Sequence, residues 1–412
     1  MQNRKTRIRQ ENRQGQVQLN WAGKAVDPSL EGPTDASVQG SAPDLITVQQ
    51  FGTASGSLLI AGDAATSMDA LIKPGPLCTR GQVQLCYIDP PYNTGERFNH
   101  YADRMDRSSW LSALQCHLTQ IKQLISNSGS VWVHLDDSEQ HRARCVLDEV
   151  FGTDAFVATI IWQKRTSRDN RKAFSSMHDY IHVYAPAGPV AWKRIRNGLP
   201  DTGTFSNPDG DPRGPWRSIP MSVQAGHATA AQFYTVVTPT GKRHEPPPGR
   251  CWTYTASRLK ELDSQGLVYW PRAGDGKPRL KRFASDVSPL APFTIWDADE
   301  VGTTASAKKA LQQEFPNVPA FDTPKPRELL ERIVAIGSNP GDVVLDCYLG
   351  SGTTALAAQA LGRRWIGIEQ SRLTVERVAL PRLRRAVLSS SEKGFEFMSC
   401  TESRDEANEV GA

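Results

Sequence analysis

The chain has 412 residues, 39% of them hydrophobic and 22% charged, which is typical of a soluble globular protein of roughly two to three domains. It has no run of about 18–20 apolar residues, so we expect no membrane-spanning helix, and its basic N-terminus leads into no apolar segment of a secretory signal. The net charge is only +4, and the seven cysteines are scattered without a CxxC pair, which argues against a disulfide framework or a structural zinc site and favours a reducing cytoplasm.

Both ends of the chain have the composition of tails. Residues 1–50 are rich in Gln, Asn, Gly, Ser, Pro and Ala with little apolar periodicity, so we expect a basic, disordered N-terminal segment. Residues 389–412 are expected to form a second, acidic tail. The basic residues near the N-terminus could touch a phosphate backbone, although such a run is more often only a solvated end: Arg4, Lys5, Arg7, Arg9 and Arg13.

Residues 51–193 alternate short apolar runs with helical periodicity. The runs predicted to be strands are 57–62, 83–89, 129–137, 158–163 and 179–185. Apolar residues at helical spacing from Trp110 to Ile125 predict a helix capped by Asp106 or Ser108, and residues 145–151 predict another. Such alternation is typical of a doubly wound α/β sheet.

Residues 194–300 have a different character. They are dense in Pro and Gly and contain no long periodic helix, so we predict a loop-rich insertion or a separate subdomain. Between Lys164 and Asp286 there are 20 Lys and Arg against 10 Asp and Glu, which leaves the rest of the chain net acidic. Charge alone fits a contact with a polyanion and a merely solvated surface equally well.

The α/β character returns in residues 301–388. Thr323 is predicted to cap a helix that begins at Pro324 and ends at Gly337. Further along the chain the pattern predicts a strand at 341–347, a helix at 353–361 and a strand at 363–369.

The segment VVLDCYLGSGTTALAAQALGRRWIGIE, residues 343–369, has the pattern of a nucleoside-binding half-site. Gly350 and Gly352 allow a tight turn and a close backbone approach, and the helix that follows offers free N–H groups to an anionic group. Glu369 comes at the end of the next strand, where a carboxylate can accept hydrogen bonds from ribose hydroxyls. No Lys follows the glycines, which excludes a P-loop, but a plain β–turn–α–β unit would also fit.

The segment IDPPYNTG, residues 88–95, directly follows an apolar strand. Asp89 is expected at the carboxyl edge of the sheet, where open α/β sheets bind ligands. Pro90 and Pro91 lack N–H groups and leave carbonyl groups pointing outward. An aspartate beside a proline carbonyl offers two acceptors to an amino group, and Tyr92 can stack on a planar ring.

These two segments together resemble the β class of S-adenosylmethionine (AdoMet)-dependent amino DNA methyltransferases, in which the DPPY motif precedes the cofactor turn by circular permutation. HLDDSEQHRARCVLDEVFG, TIWDADEVG and FDTPKP also resemble the modification (Mod) subunits of type III restriction systems and their solitary relatives. The resemblance covers about residues 57–388. It implies a permuted Rossmann-like methyltransferase fold with a catalytic part in 51–193, an inserted target-recognition region in 194–300 and an AdoMet-binding part in 301–388.

The activity that the resemblance implies is methyl transfer from AdoMet to the N6 amino group of adenine in DNA, after the base has been flipped out. It also implies a cytoplasmic homodimer, with a separate restriction subunit as a possible partner. Methylation of cytosine N4 stays open, although such enzymes more often have Ser at the position of Asp89. Further alternatives are an inactive DNA-binding relative, an enzyme that acts on an RNA or protein amide nitrogen, and a nucleotide-dependent oxidoreductase.

The roles of the family's residues transfer to this chain through the matching motifs. Asp89 and the Pro90 carbonyl are implied to accept hydrogen bonds from the target amino group, with Pro91 in the same turn and Tyr92 stacked on the base. Lys325 is implied to lie near the cofactor carboxylate. The implied cofactor-binding residues are Asp63, Thr323, Lys325, Pro326, Asp346, Gly350, Ser351, Gly352, Thr353 and Glu369.

The basic insertion is the predicted DNA-binding region, because Arg and Lys alternate there with aromatic residues. Basic side chains would hold phosphates and a few would read base edges. For any single Trp, such as Trp216 or Trp252, local core packing is the preferred interpretation. The residues predicted to contact DNA are Arg217, Arg250, Arg272, Arg279, Lys281 and Arg282.

Overall fold

The computed structural model describes residues 18–24, 44–53, 56–93, 105–171, 173–201, 203–316, 323–388 and 394–400. The N-terminal basic run and the end of the acidic C-terminal segment lie outside these ranges. The described residues form two compact units, the first drawn from 1–197 and 293–412 and the second from 198–292. None of the described helices is long and apolar enough to cross a membrane.

The N-terminal part of the first unit contains the elements predicted from its apolar runs. Its strands are β1 (Leu45–Phe51), β2 (Leu58–Ala61), β3 (Val83–Ile88), β4 (Ile125–Leu135), β5 (Phe156–Gln163) and β6 (His178–Tyr184). Its α-helices are α1 (Ala64–Ile72), α2 (Arg107–Leu124), α3 (Gln140–Phe151) and α4 (Gly188–Ile195). The Asp106 side chain accepts a hydrogen bond from the Ser109 backbone N–H, so Asp106 rather than Ser108 caps α2.

The second unit is built from short strands and one helix. Its elements are β7 (Trp216–Pro220), β8 (Ser222–Gln224), β9 (Val236–Val237), β10 (Arg243–His244), β11 (Arg250–Trp252), α5 (Ala256–Ser264), β12 (Val268–Tyr269) and β13 (Arg279–Phe283). Trp252 lies at the centre of a small core of its own, with Met221 and Leu262 among its buried members. Leu199 and Leu290 pair across the two ends of the unit, so the chain enters and leaves it at the same place.

The C-terminal part completes the first unit. Its elements are β14 (Ile295–Trp296), α6 (Ala298–Val301), α7 (Thr304–Glu314), α8 (Arg327–Gly337), β15 (Val343–Asp346), α9 (Thr353–Ala360), β16 (Arg364–Glu369), α10 (Arg372–Thr374), α11 (Leu380–Leu388) and β17 (Phe395–Cys400). The prediction that Thr323 caps α8 is wrong, because the helix begins at Arg327 with Pro326 in extended backbone before it. Thr323 and Lys325 each precede a proline, which disfavours helical backbone at both positions.

The described part of the first unit contains a sheet of ten strands in the order β1-β17-β2-β16-β15-β3-β4-β6-β5-β14. Strands β2, β16, β15, β3 and β4 run parallel to their neighbours in this list, whereas β6 is antiparallel to both β4 and β5. Strand β3 thus lies beside β15, although the two are far apart in the chain. Their carboxyl ends meet at one edge of the sheet, which is where a parallel α/β sheet binds ligands.

The boundaries of the predicted tails need correction, because both contain a strand. Strand β1 falls inside residues 1–50 and β17 inside 389–412, and the two pair antiparallel at the edge of the sheet. The rings of Phe51 and Phe395 stack with their centroids 5.0 Å apart, and Phe395 is fully buried. The polar composition of the flanking residues hid these short apolar strands. Residues 293–300, predicted to belong to the insertion, instead add β14 to the sheet beside β5.

Candidate active site

A pocket lies at the carboxyl ends of the neighbouring strands β3, β15 and β16, beside the start of α1. The predicted site residues that line it are Asp63, Asp89, Pro91, Thr323, Lys325, Asp346, Gly350, Ser351, Thr353 and Glu369. The other predicted residues of the site are sequence neighbours of these: Pro90, Tyr92, Pro326 and Gly352. The fold therefore brings the described part of the first segment, residues 88–93, and the second segment, residues 343–369, to one place.

The turn between β15 and α9 has the backbone that its glycines were predicted to supply. Gly350 and Gly352 have φ angles of 53° and 83°, in the left-handed region that residues with a Cβ rarely adopt. Gly352 is the N-cap of α9, so the first N–H groups of the helix lie at the pocket, where they favour a negatively polarised group.

Glu369, at the end of β16, joins this turn to the next one. Its Oε2 accepts a hydrogen bond of 2.8 Å from the Gly350 backbone N–H, and its Oε1 accepts one of 2.8 Å from Ser371. Each carboxylate oxygen can accept more than one hydrogen bond. The backbone bonds therefore fix the carboxylate in an orientation in which both oxygens can also accept from a pair of neighbouring hydroxyls.

Asp346, the last residue of β15, is a buried acid on the floor of the pocket. It accepts hydrogen bonds from the Thr354 hydroxyl at 2.6 Å and from the Tyr348 backbone N–H at 2.9 Å. Burial, reinforced by the negative charges of Asp89 and Glu369, nonetheless raises the pKa of Asp346 to about 7. A cation bound beside this carboxylate would favour its ionised form.

Three side chains form hydrogen bonds or an ion pair with the turn after β3. The Trp110 indole N–H on α2 donates to the Pro91 carbonyl at 2.7 Å. The Tyr92 hydroxyl donates to Oδ1 of Asp89 at 2.8 Å, and the Lys325 ammonium forms an ion pair with Oδ2 of the same carboxylate. The prediction placed Lys325 near a cofactor carboxylate, whereas here its partner is the carboxylate predicted to hold the target amino group.

A buried histidine supports the Tyr92 ring from within the sheet. The His134 ring centroid lies 6.2 Å from that of Tyr92, and His134 Nδ1 lies 2.7 Å from the Tyr87 hydroxyl. Its Nε2 lies 3.3 Å from Asp179, which also pairs with Lys164 at 2.6 Å. Burial lowers the pKa of His134, so a neutral ring can accept from Tyr87 and donate to Asp179. Among the described residues, no cluster of His, Cys, Asp and Glu could hold a metal ion.

Tyr87 and His117 are among the residues that line the pocket without having been predicted as site residues. Tyr87 precedes the DPPY motif by two positions on β3, and His117 lies on α2 with its Nδ1 2.6 Å from the Tyr348 hydroxyl. His117 carried a usable signal, because it is a polar residue on the apolar stripe of α2 beside Leu114 and Leu118. Its partner Tyr348 lies 231 positions away, so the pairing itself could not be predicted.

A sequence model of the family described as "DNA methylase" (N6_N4_Mtase) matches residues 83–379, which include both segments of the pocket. This chain belongs to the DNA methylase family. In the sheet, β15 lies beside β3, and the DPPY segment that follows β3 comes before the glycine turn that follows β15 in the chain. Together with the family membership, this order confirms the predicted permuted Rossmann-like methyltransferase fold.

Individual relatives of this chain include proteins named for two types of restriction-modification system. The type II methyltransferase M.EcaI of Enterobacter cloacae is 30% identical over 70% of this chain and 62% of its own length. The Mod subunit of the type III enzyme StyLTI of Salmonella typhimurium is 30% identical over 68% of this chain and 46% of its own length. The chain thus spans less than two thirds of either relative. Among solved structures, the cytosine-N4-specific PvuII DNA methyltransferase is 12% identical over 79% of this chain and 86% of its own, with a TM-score of 0.43.

The basic residues predicted to contact DNA fall into two groups in the second unit. Most have partners inside the unit. Lys281 pairs with Asp209 and Asp211, and Arg217 binds both carboxylate oxygens of Asp201. Arg279 donates to the hydroxyl and carbonyl of Ser218, and Arg250 donates in the same manner to Ser222; these four sets of contacts hold neighbouring segments of the unit together.

The other group consists of Arg272 and Arg282, which are exposed. Arg272 has a positive φ of 55°, and the next residue, Ala273, has one of 53°, so this arginine projects from a tight turn. The tryptophans behave as predicted, since Trp216 and Trp252 are buried in the packing of the unit. Exposed basic residues, rather than the aromatic ones, are therefore the candidates for phosphate contacts in the second unit.

Proposed function

We propose that this chain transfers a methyl group from AdoMet to the N6 amino group of adenine in DNA. The observation that carries the proposal is that the Asp89–Tyr92 turn and the Gly350 turn line one pocket at adjacent strand ends. An acceptor pair suited to an amino group therefore lies beside a turn suited to a nucleoside cofactor. The family to which the chain belongs supports the same reaction.

The chemistry of the residues in the pocket fits AdoMet. Glu369 offers a carboxylate to the ribose hydroxyls, and the buried Asp346 offers a negative charge to the cationic methionine end. Lys325 offers a positive charge to the cofactor carboxylate, and Asp63 caps α1 while also lining the pocket. When bound, AdoMet supplies a methyl group activated by its sulfonium.

The residues of the DPPY turn would act on the nucleophile. The lone pair of the exocyclic nitrogen is delocalised into the adenine ring, which makes it a weak nucleophile. Asp89 and the Pro90 carbonyl would accept hydrogen bonds from the two N–H groups of the exocyclic nitrogen. These bonds would favour a pyramidal nitrogen and stabilise the positive charge that develops there. Flipping the base costs a few kcal/mol. Stacking on Tyr92, worth roughly 1–3 kcal/mol, would offset part of that cost.

The proposed partners follow from the proposed reaction and from the relatives. DNA is the substrate, and we infer that the protein works in the cytoplasm as a homodimer. StyLTI Mod is by name a subunit of a restriction-modification enzyme, and M.EcaI is by name a methyltransferase. The chain could accordingly act alone or beside a separate restriction subunit.

The test is methyl transfer from labelled AdoMet to unmethylated bacterial DNA, followed by mass spectrometry of the nucleosides. We expect N6-methyladenine with the wild-type protein and none with Asp89→Ala, which should still bind AdoMet. Asp299→Ala, an exposed position on α6, serves as the control and should stay active. N4-methylcytosine would overturn the choice of base, and a folded protein that binds no AdoMet would overturn the proposal as a whole.

A further inference from the structure

The Asp89 carboxylate and the Tyr92 ring, both predicted to hold the target base, are in contact with other side chains of the protein. Asp89 receives the Tyr92 hydroxyl on Oδ1 and the Lys325 ammonium on Oδ2. The Lys325 nitrogen also lies over the Tyr92 ring, 5.3 Å from its centroid. A base entering to stack on Tyr92 and to hydrogen-bond Asp89 would therefore meet Lys325 at both contacts.

Lys325 is the cationic side chain of the pocket. Among the described residues that line the pocket, Lys325 is the single Lys or Arg, and the same lining contains the acids Asp63, Asp89, Asp346 and Glu369. Lys325 forms an ion pair with Asp89, and its side chain is 8% exposed, so it has exchanged most of its water for protein contacts. A ligand carboxylate entering the pocket would find its only strong cationic partner already paired with Asp89.

We propose that Lys325 is a positioning residue that couples the cofactor to the base: the cofactor carboxylate draws Lys325 away from Asp89, and Oδ2 of Asp89 then becomes able to accept the target amino group. The inference rests on the proposed function, because it takes AdoMet as the ligand. While it is paired with Asp89, Lys325 neutralises that carboxylate and covers Tyr92. The consequence is an order of events in which the cofactor must bind before the amino group can be recognised.

The coupling can be measured without DNA and without turnover. Calorimetry would compare AdoMet with decarboxylated AdoMet, which keeps the sulfonium and the ammonium and lacks only the carboxylate. Wild-type protein should prefer AdoMet, and Asp89→Asn should increase that preference about fivefold, because Asp89 no longer competes for the ammonium. In Lys325→Met the preference should vanish. The exposed positions Asp299→Asn and Lys309→Met are the matched controls and should leave it unchanged.

The double variant separates this mechanism from simple repulsion between two carboxylates. If Asp89 merely repelled the cofactor carboxylate, Asp89→Asn would raise the preference equally with and without Lys325. Under the proposal, Asp89→Asn has no effect on the preference once Lys325 is Met. An equal effect in both backgrounds, or none in either, overturns the role of Lys325. Failure of the wild-type protein to bind either ligand would instead overturn the proposed function.

A second measurement uses only the wild-type protein, once methylation has revealed a target sequence. The affinity for DNA would be compared between a target adenine and a target purine, which lacks the amino group. S-adenosylhomocysteine should create a preference for adenine of about fivefold, because it frees Asp89, whereas 5′-methylthioadenosine, without a carboxylate, should create none. An equal preference with both ligands would overturn the coupling, even if the substituted proteins did not fold.

Discussion

At the scale of single residues, Asp346 has the most consequential environment in the pocket. It is 3% exposed and lies near the acids Asp89 and Glu369, and burial raises its pKa from 3.8 to about 7. The folded protein therefore holds the proton of Asp346 more tightly than the unfolded chain does. Its ionisation makes the free energy of unfolding fall as the pH rises from about 4 to 7. A bound cation would compensate for this cost at higher pH.

The affinity for AdoMet should accordingly depend on pH. Below about pH 7 Asp346 carries a proton, which must be released for the carboxylate to pair with the cationic methionine end. We expect the affinity to fall by up to about tenfold for each pH unit between pH 7 and 5.5. Calorimetry in buffers of different ionisation enthalpy would measure both the affinity and the proton release.

The matched control for that experiment is Asp346→Asn, which keeps the shape of the side chain without its titration. The variant should bind AdoMet more weakly at pH 8, and its affinity should be flat between pH 5.5 and 7. A pH dependence that survives in Asp346→Asn would assign the titration to another group.

At the scale of elements, helix α2 contacts the DPPY turn through a hydrogen bond from Trp110. The Trp110 indole donates to the Pro91 carbonyl, and Trp110 itself is buried. Trp110→Phe would keep most of the apolar contact and remove the donor, at a cost of about 1–3 kcal/mol in the free energy of unfolding if the carbonyl stays unpaired. We expect kcat to fall at least about tenfold, because the turn would no longer hold Asp89 in place, while AdoMet affinity stays unchanged.

A variant on the same helix distinguishes loss of stability from loss of position. Asp106→Ala removes the N-cap of α2 and should cost about 1 kcal/mol without touching the turn. Its kcat at a temperature well below unfolding should match that of the wild-type protein. If both variants lowered kcat alike, the effect of Trp110→Phe would reflect a destabilised helix rather than a displaced turn.

The elements also show what the sequence could predict. Strands such as β3 and β15 are apolar runs that end at Pro or Gly turns, so local pattern was enough to locate them and the site residues that follow them. Strands β1 and β17 were missed because each lies in polar surroundings and is joined to the sheet by pairing with strands far away in the chain, β1 with β17 and β17 also with β2. The ion pair of Lys325 with Asp89 joins residues 236 positions apart and depends on tertiary structure alone.

At the scale of the whole molecule, part of the excess positive charge in the insertion is neutralised by ion pairs within the second unit. Lys281, Arg213 and Arg217 of the second unit are paired with carboxylates of the same unit. Lys281 is only 9% exposed on its side chain, so replacing it would remove the ion pair with Asp209, leave Asp211 with Arg213 alone and destabilise the unit. A charge count along the sequence cannot separate such internal pairs from charges that face the solvent.

The exposed arginines should therefore govern DNA binding by the second unit. Reversing both Arg272 and Arg282 to Glu should weaken binding and lower the slope of log affinity against log salt by about two, because each arginine would displace roughly one counterion from the DNA. Fluorescence anisotropy between about 50 and 300 mM salt would measure the slope. Lys281→Met should instead lower the melting temperature and leave the slope of the remaining folded protein unchanged. If the Arg272 and Arg282 reversals left the slope as in the wild type, these arginines would lie outside the DNA interface.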